Sequence, residues 1–125
     1  MTVPDDLKYT KEHEWSRVEG DVVVIGVTDF AQSELGDIVF IEVESVGETL
    51  ARGETFGTIE AVKTVSDLYM PVDGEVLEFN KALEDSPELV NTHPFSDGWM
   101  IRVKMSDPAQ VDDLLSSDDY RALVG

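Results

Sequence analysis

One lysine stands apart in this sequence. Lys63 lies in Gly57-Thr-Ile-Glu-Ala-Val-Lys-Thr-Val-Ser-Asp67, between two β-favouring runs and near the carboxylates of Glu60 and Asp67. An exposed primary amine on its flexible stem can be acylated, and a group attached there moves as an arm. A desolvated lysine in a pocket would instead serve as a Schiff-base nucleophile. A strand-turn tip among acids predicts exposure, which favours acylation over the Schiff base. A solubilising turn charge accounts for the same residue, and spacing alone favours that reading.

The other reactive residue types offer less. His13 and His93 have neither cysteines nor a matched acidic motif beside them, so no metal site and no histidine catalysis is expected. His13 reads as a supporting residue beside a docking groove and His93 as a polar loop residue before Pro94. With no cysteine there is no disulfide, thiolate zinc site, iron–sulfur cluster or cysteine nucleophile. Gly26, Gly36, Gly47, Gly57, Gly74 and Gly98 read as turn and close-packing positions, without a phosphate-cradling pattern. Trp15 and Trp99 read as core residues or as seals for the termini.

The elements that must position Lys63 are short strands. Glu14–Val18 and Val22–Val27 form a hairpin around Glu19-Gly-Asp21. Thr28 caps a short helix, Asp29–Leu35, with Ala31 and Leu35 on one face and Gly36 ending it. Ile38–Val43 resumes strand, and Gly47 and Gly53 bracket a turn region around Leu50-Ala-Arg52. Strict alternation across Glu54–Val62 puts Phe56 and Val62 on one face and Ile59 and Ala61 on the other. Lys63-Thr-Val65 is then a hairpin tip before the strands Ser66–Met70 and Gly74–Phe79, which Pro71 and Asp73-Gly74 separate. A tip held by two strands presents a mobile arm from a fixed place.

Asn80–Asn91 predicts one or two helical turns, and Gly98–Met105 a last strand. Asp107-Pro108 starts a helix with Val111, Leu114 and Leu115 on one face, and Ser117 caps another that presents Tyr120, Leu123 and Val124. Gly36-Asp-Ile-Val-Phe40 echoes Gly74-Glu-Val-Leu-Glu78, and Leu50–Ile59 loosely echoes Leu89–Ile101. Two β units packed face to face would account for the echo.

Composition bounds the function. The 125 residues carry 27 Asp and Glu against 9 Lys and Arg, a formal charge of −18, with 42% hydrophobic residues. One domain over 1–125 is expected, with its core at about 14–105 and a helical tail at 107–124. Charge of this sign disfavours nucleic-acid and membrane-surface roles, since both normally need a basic footprint. Met1-Thr-Val-Pro-Asp-Asp6 lacks the basic start and apolar stretch of an export signal, and the longest apolar runs, such as Val22–Ile25 and Ile38–Ile41, are short. A cytoplasmic protein is therefore expected. Fourteen Asp and thirteen Glu against five Lys suit a salty cytoplasm, as in a halophile, and equally an ordinary acidic surface.

Several segments together resemble one family. Tyr9-Thr-Lys-Glu-His-Glu-Trp15, Ile25-Gly-Val-Thr-Asp-Phe-Ala-Gln32, Leu35-Gly-Asp-Ile-Val-Phe-Ile41, Ile59-Glu-Ala-Val-Lys63, Val65-Ser-Asp-Leu-Tyr69, Pro71-Val-Asp-Gly-Glu-Val76 and Gly98-Trp-Met-Ile101 are similar, in register, to the glycine cleavage system H proteins. The resemblance runs from about Leu7 to the C-terminal helices. It implies a mainly β, lipoyl-domain-like barrel-sandwich hybrid of two small antiparallel sheets, with a short helix in the N-terminal half and helices at the C-terminus.

The resemblance also implies a carrier without catalytic activity of its own. Lys63 would bear lipoic acid in amide linkage, and the dithiolane would accept an aminomethyl group as the pyridoxal-phosphate glycine decarboxylase releases carbon dioxide. The arm would then serve the tetrahydrofolate-dependent aminomethyltransferase, and dihydrolipoyl dehydrogenase would reoxidise it. A lipoate ligase or lipoyltransferase must attach the arm, and a monomeric bacterial or archaeal protein is expected. The resemblance further makes Glu14 and Asp67 candidates to cradle the cationic cargo by charge-assisted hydrogen bonds. Surface carboxylates that merely solvate the fold are the alternative for both. Glu12 stands where some relatives have a small polar residue.

Three other uses are weighed. A biotinyl carrier typically sets its lysine between two methionines, whereas the neighbours here are Val62 and Thr64. Lipoyl domains of 2-oxo acid dehydrogenases lack the His13-Glu-Trp15 lead and the helical tail. A lipoyl relay that donates its group to such domains needs the same lysine, and the sequence barely separates it from the glycine cleavage role.

Overall fold

The computed structural model describes residues 2–125; Met1, the first residue of the segment read for an export signal, lies outside them. Two antiparallel sheets face each other. The larger has six strands, in the spatial order 8–9, 14–19, 22–27, 101–105, 74–79 and 49–50, and the smaller has three, in the order 38–42, 55–61 and 65–69. In chain order β1 is Lys8–Tyr9, β2 Glu14–Glu19 and β3 Val22–Val27, followed by helix α1 at Asp29–Leu35. Then come β4 (Ile38–Glu42), β5 (Thr49–Leu50), β6 (Thr55–Ala61), β7 (Val65–Tyr69) and β8 (Gly74–Phe79). Helices α2 (Ala82–Asp85) and α3 (Leu89–Thr92) precede β9 (Ile101–Met105). A 3₁₀ helix (Pro108–Asp113) and helix α4 (Ser117–Val124) complete the chain.

The inner faces of the sheets share one core. Val23, Ile25, Val76 and Val103 from the larger sheet are buried against Ile41, Phe56, Ile59 and Leu68 from the smaller. The barrel-sandwich hybrid implied by the resemblance is therefore present. A second cluster lies on the outer face of the larger sheet, where Leu7, Tyr9, Trp15, Val24 and Tyr120 are buried together. Segments near both ends of the described chain pack together here. The Tyr9 and Tyr120 rings stack at 4.6 Å, Trp15 Nε1 donates to the Pro94 carbonyl, and Arg121 pairs with Asp5. Trp15 is the terminal seal that one of its two readings anticipated, while the half-buried Trp99 lies beneath the Arg102 guanidinium.

Several local expectations need correction. Phe56, Ile59 and Ala61 are all buried while Val62 is exposed, because a register shift between Thr55 and Gly57 inserts a bulge and reverses the strand's phase. The last strand starts at Ile101, since the backbone at Gly98 closes against the carbonyls of His93 and Leu89. Val111, Leu114 and Leu115 share no helical face. The segment is a 3₁₀ helix that ends before Leu114, so Val111 and Leu114 reach the sandwich core and Leu115 joins the terminal cluster and bridges to Tyr9. The last helix is capped by Ser116, whose side chain accepts from Asp119 N–H, and Leu123 is exposed. Of the second echo, residues 50–59 are mostly strand, but residues 89–101 are a helical turn and loop entering β9.

Candidate functional site

Lys63 sits at the tip of the β6–β7 hairpin. The Ala61 N–H donates to the Thr64 carbonyl at 2.8 Å and Glu60 pairs with Val65, so Val62-Lys63-Thr64 forms the loop. A bond from Val62 N–H to the Asp37 carbonyl at 3.1 Å ties this loop to the start of β4. The backbone is fixed on two sides while the Lys63 side chain is exposed. Every ion pair among the described residues uses an arginine, so none engages the Lys63 amine.

Glu14 and Asp67 come from different sheets and line one cleft of about 410 Å³. Its walls include Val27, Phe30, Leu35, Ile59 and Leu68, and its rim carries Glu12 and Glu34. Lys63 precedes Asp67 by four residues, through the end of the loop and the first residues of β7. Asp67 is exposed. Glu14 is only 2% exposed, which overturns its alternative as a solvating surface charge.

The Glu14 carboxyl is held on both oxygens. Thr10 Oγ1 donates to one at 2.6 Å, and the Tyr69 N–H donates to the other at 3.2 Å. Burial nevertheless dominates and pushes its pKa up to about 7, against the pull of those two donors and with a further push from Glu12. A cation entering the cleft would favour the carboxylate and displace the proton.

His13 precedes Glu14 with a φ of 69°, a left-handed conformation uncommon for a residue other than glycine. Long-range contacts hold it there. Tyr120 Oη from α4 lies 2.9 Å from His13 Nδ1 and 2.7 Å from Thr28 Oγ1, and the Phe30 ring lies 4.8 Å from the imidazole. Burial lowers the His13 pKa. His13 thus lines the cleft itself rather than standing beside it, and His93 is an exposed loop residue. Among the described residues no cluster of three or more His, Cys, Asp or Glu could hold a metal ion, and no helix is long and apolar enough to cross a membrane.

Two contributors escaped the sequence reading. Thr10 had a local signal, a hydroxyl four residues before Glu14 in a turn segment, where such side chains bond nearby backbone groups. Tyr120 had none. It was read for its apolar ring, and its hydroxyl reaches across 107 residues to His13.

Comparison with known proteins is decisive. The family model for the glycine cleavage H-protein matches residues 7–125. The chain belongs to that family. It is 57% identical over 124 residues to the glycine cleavage system H protein of Bacteroides thetaiotaomicron, covering 99% of this chain and 98% of that protein. The glycine cleavage system H protein of Staphylococcus haemolyticus is 56% identical over 125 residues, 100% of this chain and 99% of that one. Among solved structures, a glycine cleavage system H protein from Mycobacterium marinum superposes with a TM-score of 0.87 at 38% identity, covering 96% of this chain and 97% of that one.

Proposed function

We propose that this chain is a single lipoyl-carrier domain of the glycine cleavage system, spanning 1–125, with lipoic acid amide-linked to Lys63 and no catalysis of its own. The observation that carries the reading is an exposed amine, free of ion pairs, on a tethered tip beside a cleft with apolar walls and a buried carboxyl. Those residues suit an apolar arm that ends in a cation. When bound, the lipoyl group supplies the reducible disulfide that accepts an aminomethyl group. Glu14 and Asp67 hold the cargo amine by charge-assisted hydrogen bonds, and Phe30, Ile59 and Leu68 keep water from it. Glu14 gives up its proton as the amine arrives. Acylation removes the Lys63 charge, so the arm carries no ammonium of its own into a partner.

The partners follow from this role. They are the pyridoxal-phosphate glycine decarboxylase, the tetrahydrofolate-dependent aminomethyltransferase, dihydrolipoyl dehydrogenase, and the lipoate ligase or lipoyltransferase that loads Lys63, all met in the cytoplasm by a monomer. Intact mass with peptide mapping of native protein tests the reading. One lipoyl group on Lys63 is expected, and fully unmodified material from cells with a working lipoylation pathway would sink it.

A further inference from the structure

The outer face of the smaller sheet is unusual around the tip. Phe40, Glu60 and Val65 stand side by side across β4, β6 and β7, and directly paired residues of neighbouring strands share a face. Phe40 is 51% exposed and Val65 60% exposed. Val62 at the tip is 71% exposed, and Val39 adds a fourth apolar side chain at 46%. A β-bulge makes this possible. A regular strand with Ile38 inside would turn Val39 out, Phe40 in and Ile41 out, but the register shift between Ile38 and Phe40 puts Val39 and Phe40 both outside and turns Ile41 into the core. Buried, Phe40 would strengthen the core. It is instead spent on a patch that adjoins Lys63.

We infer that Val39, Phe40, Val62 and Val65 form the docking surface for the enzyme that acylates Lys63, a step resting on the carrier reading above. An unmodified lysine is short, so a catalytic site that engages its Nζ must close over the tip and cover what surrounds it. Partners of the lengthened arm are under no such constraint. In the reaction the Nζ attacks the carbonyl carbon of an activated lipoyl donor, a mixed anhydride or thioester. The amide C–N bond forms and the bond from the acyl carbon to the leaving group breaks. The leaving group departs with the electron pair; of the two protons the ammonium loses, one ends on the leaving group and one in solvent. Glu60 within the patch, with Asp37 and Glu42 among the residues beside it, calls for an enzyme surface that is apolar at its centre and basic at its rim.

The test uses the full chain, unlipoylated, with a purified lipoate ligase supplied with lipoate and ATP, and follows acylation of Lys63 by mass. The double variant Phe40→Ser/Val65→Thr should lose at least tenfold in kcat/KM for acylation, mostly through KM, with an unchanged circular dichroism spectrum. Leu77→Ser, at an exposed position in the larger sheet, should stay within twofold of the parent. Double-variant protein that has been fully lipoylated at high ligase concentration should keep glycine cleavage turnover within twofold. Acylation of the double variant within twofold of the parent overturns the proposal, as does an equal loss in Leu77→Ser. Equal loss of turnover in the lipoylated variant assigns the patch to another partner, and a parent dimer abolished by the variant assigns it to a second copy; either overturns the proposal. A parent that is never acylated at Lys63 defeats the carrier reading itself.

Discussion

Glu14 places an ionisable carboxyl where water hardly reaches, and its stability contribution has an unusual sign. Its folded pKa of about 7 lies above the ordinary value of 4.5, so between those pH values the folded protein binds more protons than the unfolded chain. Stability therefore falls as pH rises from about 4.5 to about 7, then levels for this group. The full effect is on the order of 3 kcal/mol for this shift. Urea unfolding across that window should show the decline, and Glu14→Gln should flatten it and match or exceed the parent at pH 8. An unchanged slope in the variant would assign the decline to other groups. Lys63→Arg should abolish lipoylation while changing stability by less than about 0.5 kcal/mol, since the side chain is exposed and outside every ion pair. Mass spectrometry and a thermal melt decide both halves. The position of Lys63 at a hairpin tip was legible in the sequence because a tip is a local feature. The burial of Glu14 was not, because it depends on Thr10, on the Tyr69 backbone and on the closeness of two sheets.

At the scale of elements, bulges decide what alternation leaves ambiguous. Apolar runs such as Ile38-Val-Phe-Ile41 name a strand but not which residues face inward, and one inserted residue reverses the answer. Gly57 shows what the bulge in β6 requires. A Cβ there would lie 2.5 Å from the Glu42 carbonyl oxygen, and backbone of the paired strand cannot yield cheaply. Gly57→Ala should cost about 1–3 kcal/mol in chemical denaturation, the range for forced overpacking. Helix α4 acts on the cleft through one hydroxyl. Tyr120→Phe keeps the stacked ring but leaves Thr28 Oγ1 and His13 Nδ1 without their shared partner, at a cost of about 1–3 kcal/mol. It should also narrow the energetic margin that keeps His13 left-handed, seen as a shifted imidazole resonance in proton NMR. An unmoved resonance would leave α4 as a seal alone. Helical spacing correctly put Tyr120 on a buried face, yet it placed Leu123 there as well, because period cannot tell how wide a face its neighbours cover.

Over the whole molecule, all four arginines are engaged with carboxylates, and acids still outnumber bases by eighteen. Screening should therefore raise the melting temperature as salt increases, because self-repulsion falls. Encounter with partner enzymes responds in the opposite direction if basic rims steer it. With cognate enzymes at subsaturating carrier, turnover should fall several-fold between about 0.05 and 0.5 M salt. Turnover that holds or rises would assign the acidity to a saline cytoplasm. Sequence by itself determined seven of the nine strands, the caps at Thr28 and Asp107, and the lysine at a tip, because each depends on neighbours in the chain. It missed the two-residue strands β1 and β5, the latter inside what reads as a turn region, because so short a strand is defined only by its partner. Tertiary structure decided the rest. Strand pairing set the bulges that turned Phe40 outward, across β4 and β6, and Phe56 inward, across the β6–β7 hairpin, and packing of both chain ends against Trp15 fixed His13 and Glu14 at the cleft. These outcomes depend on what lies across the sheet, and a linear pattern carries no record of that.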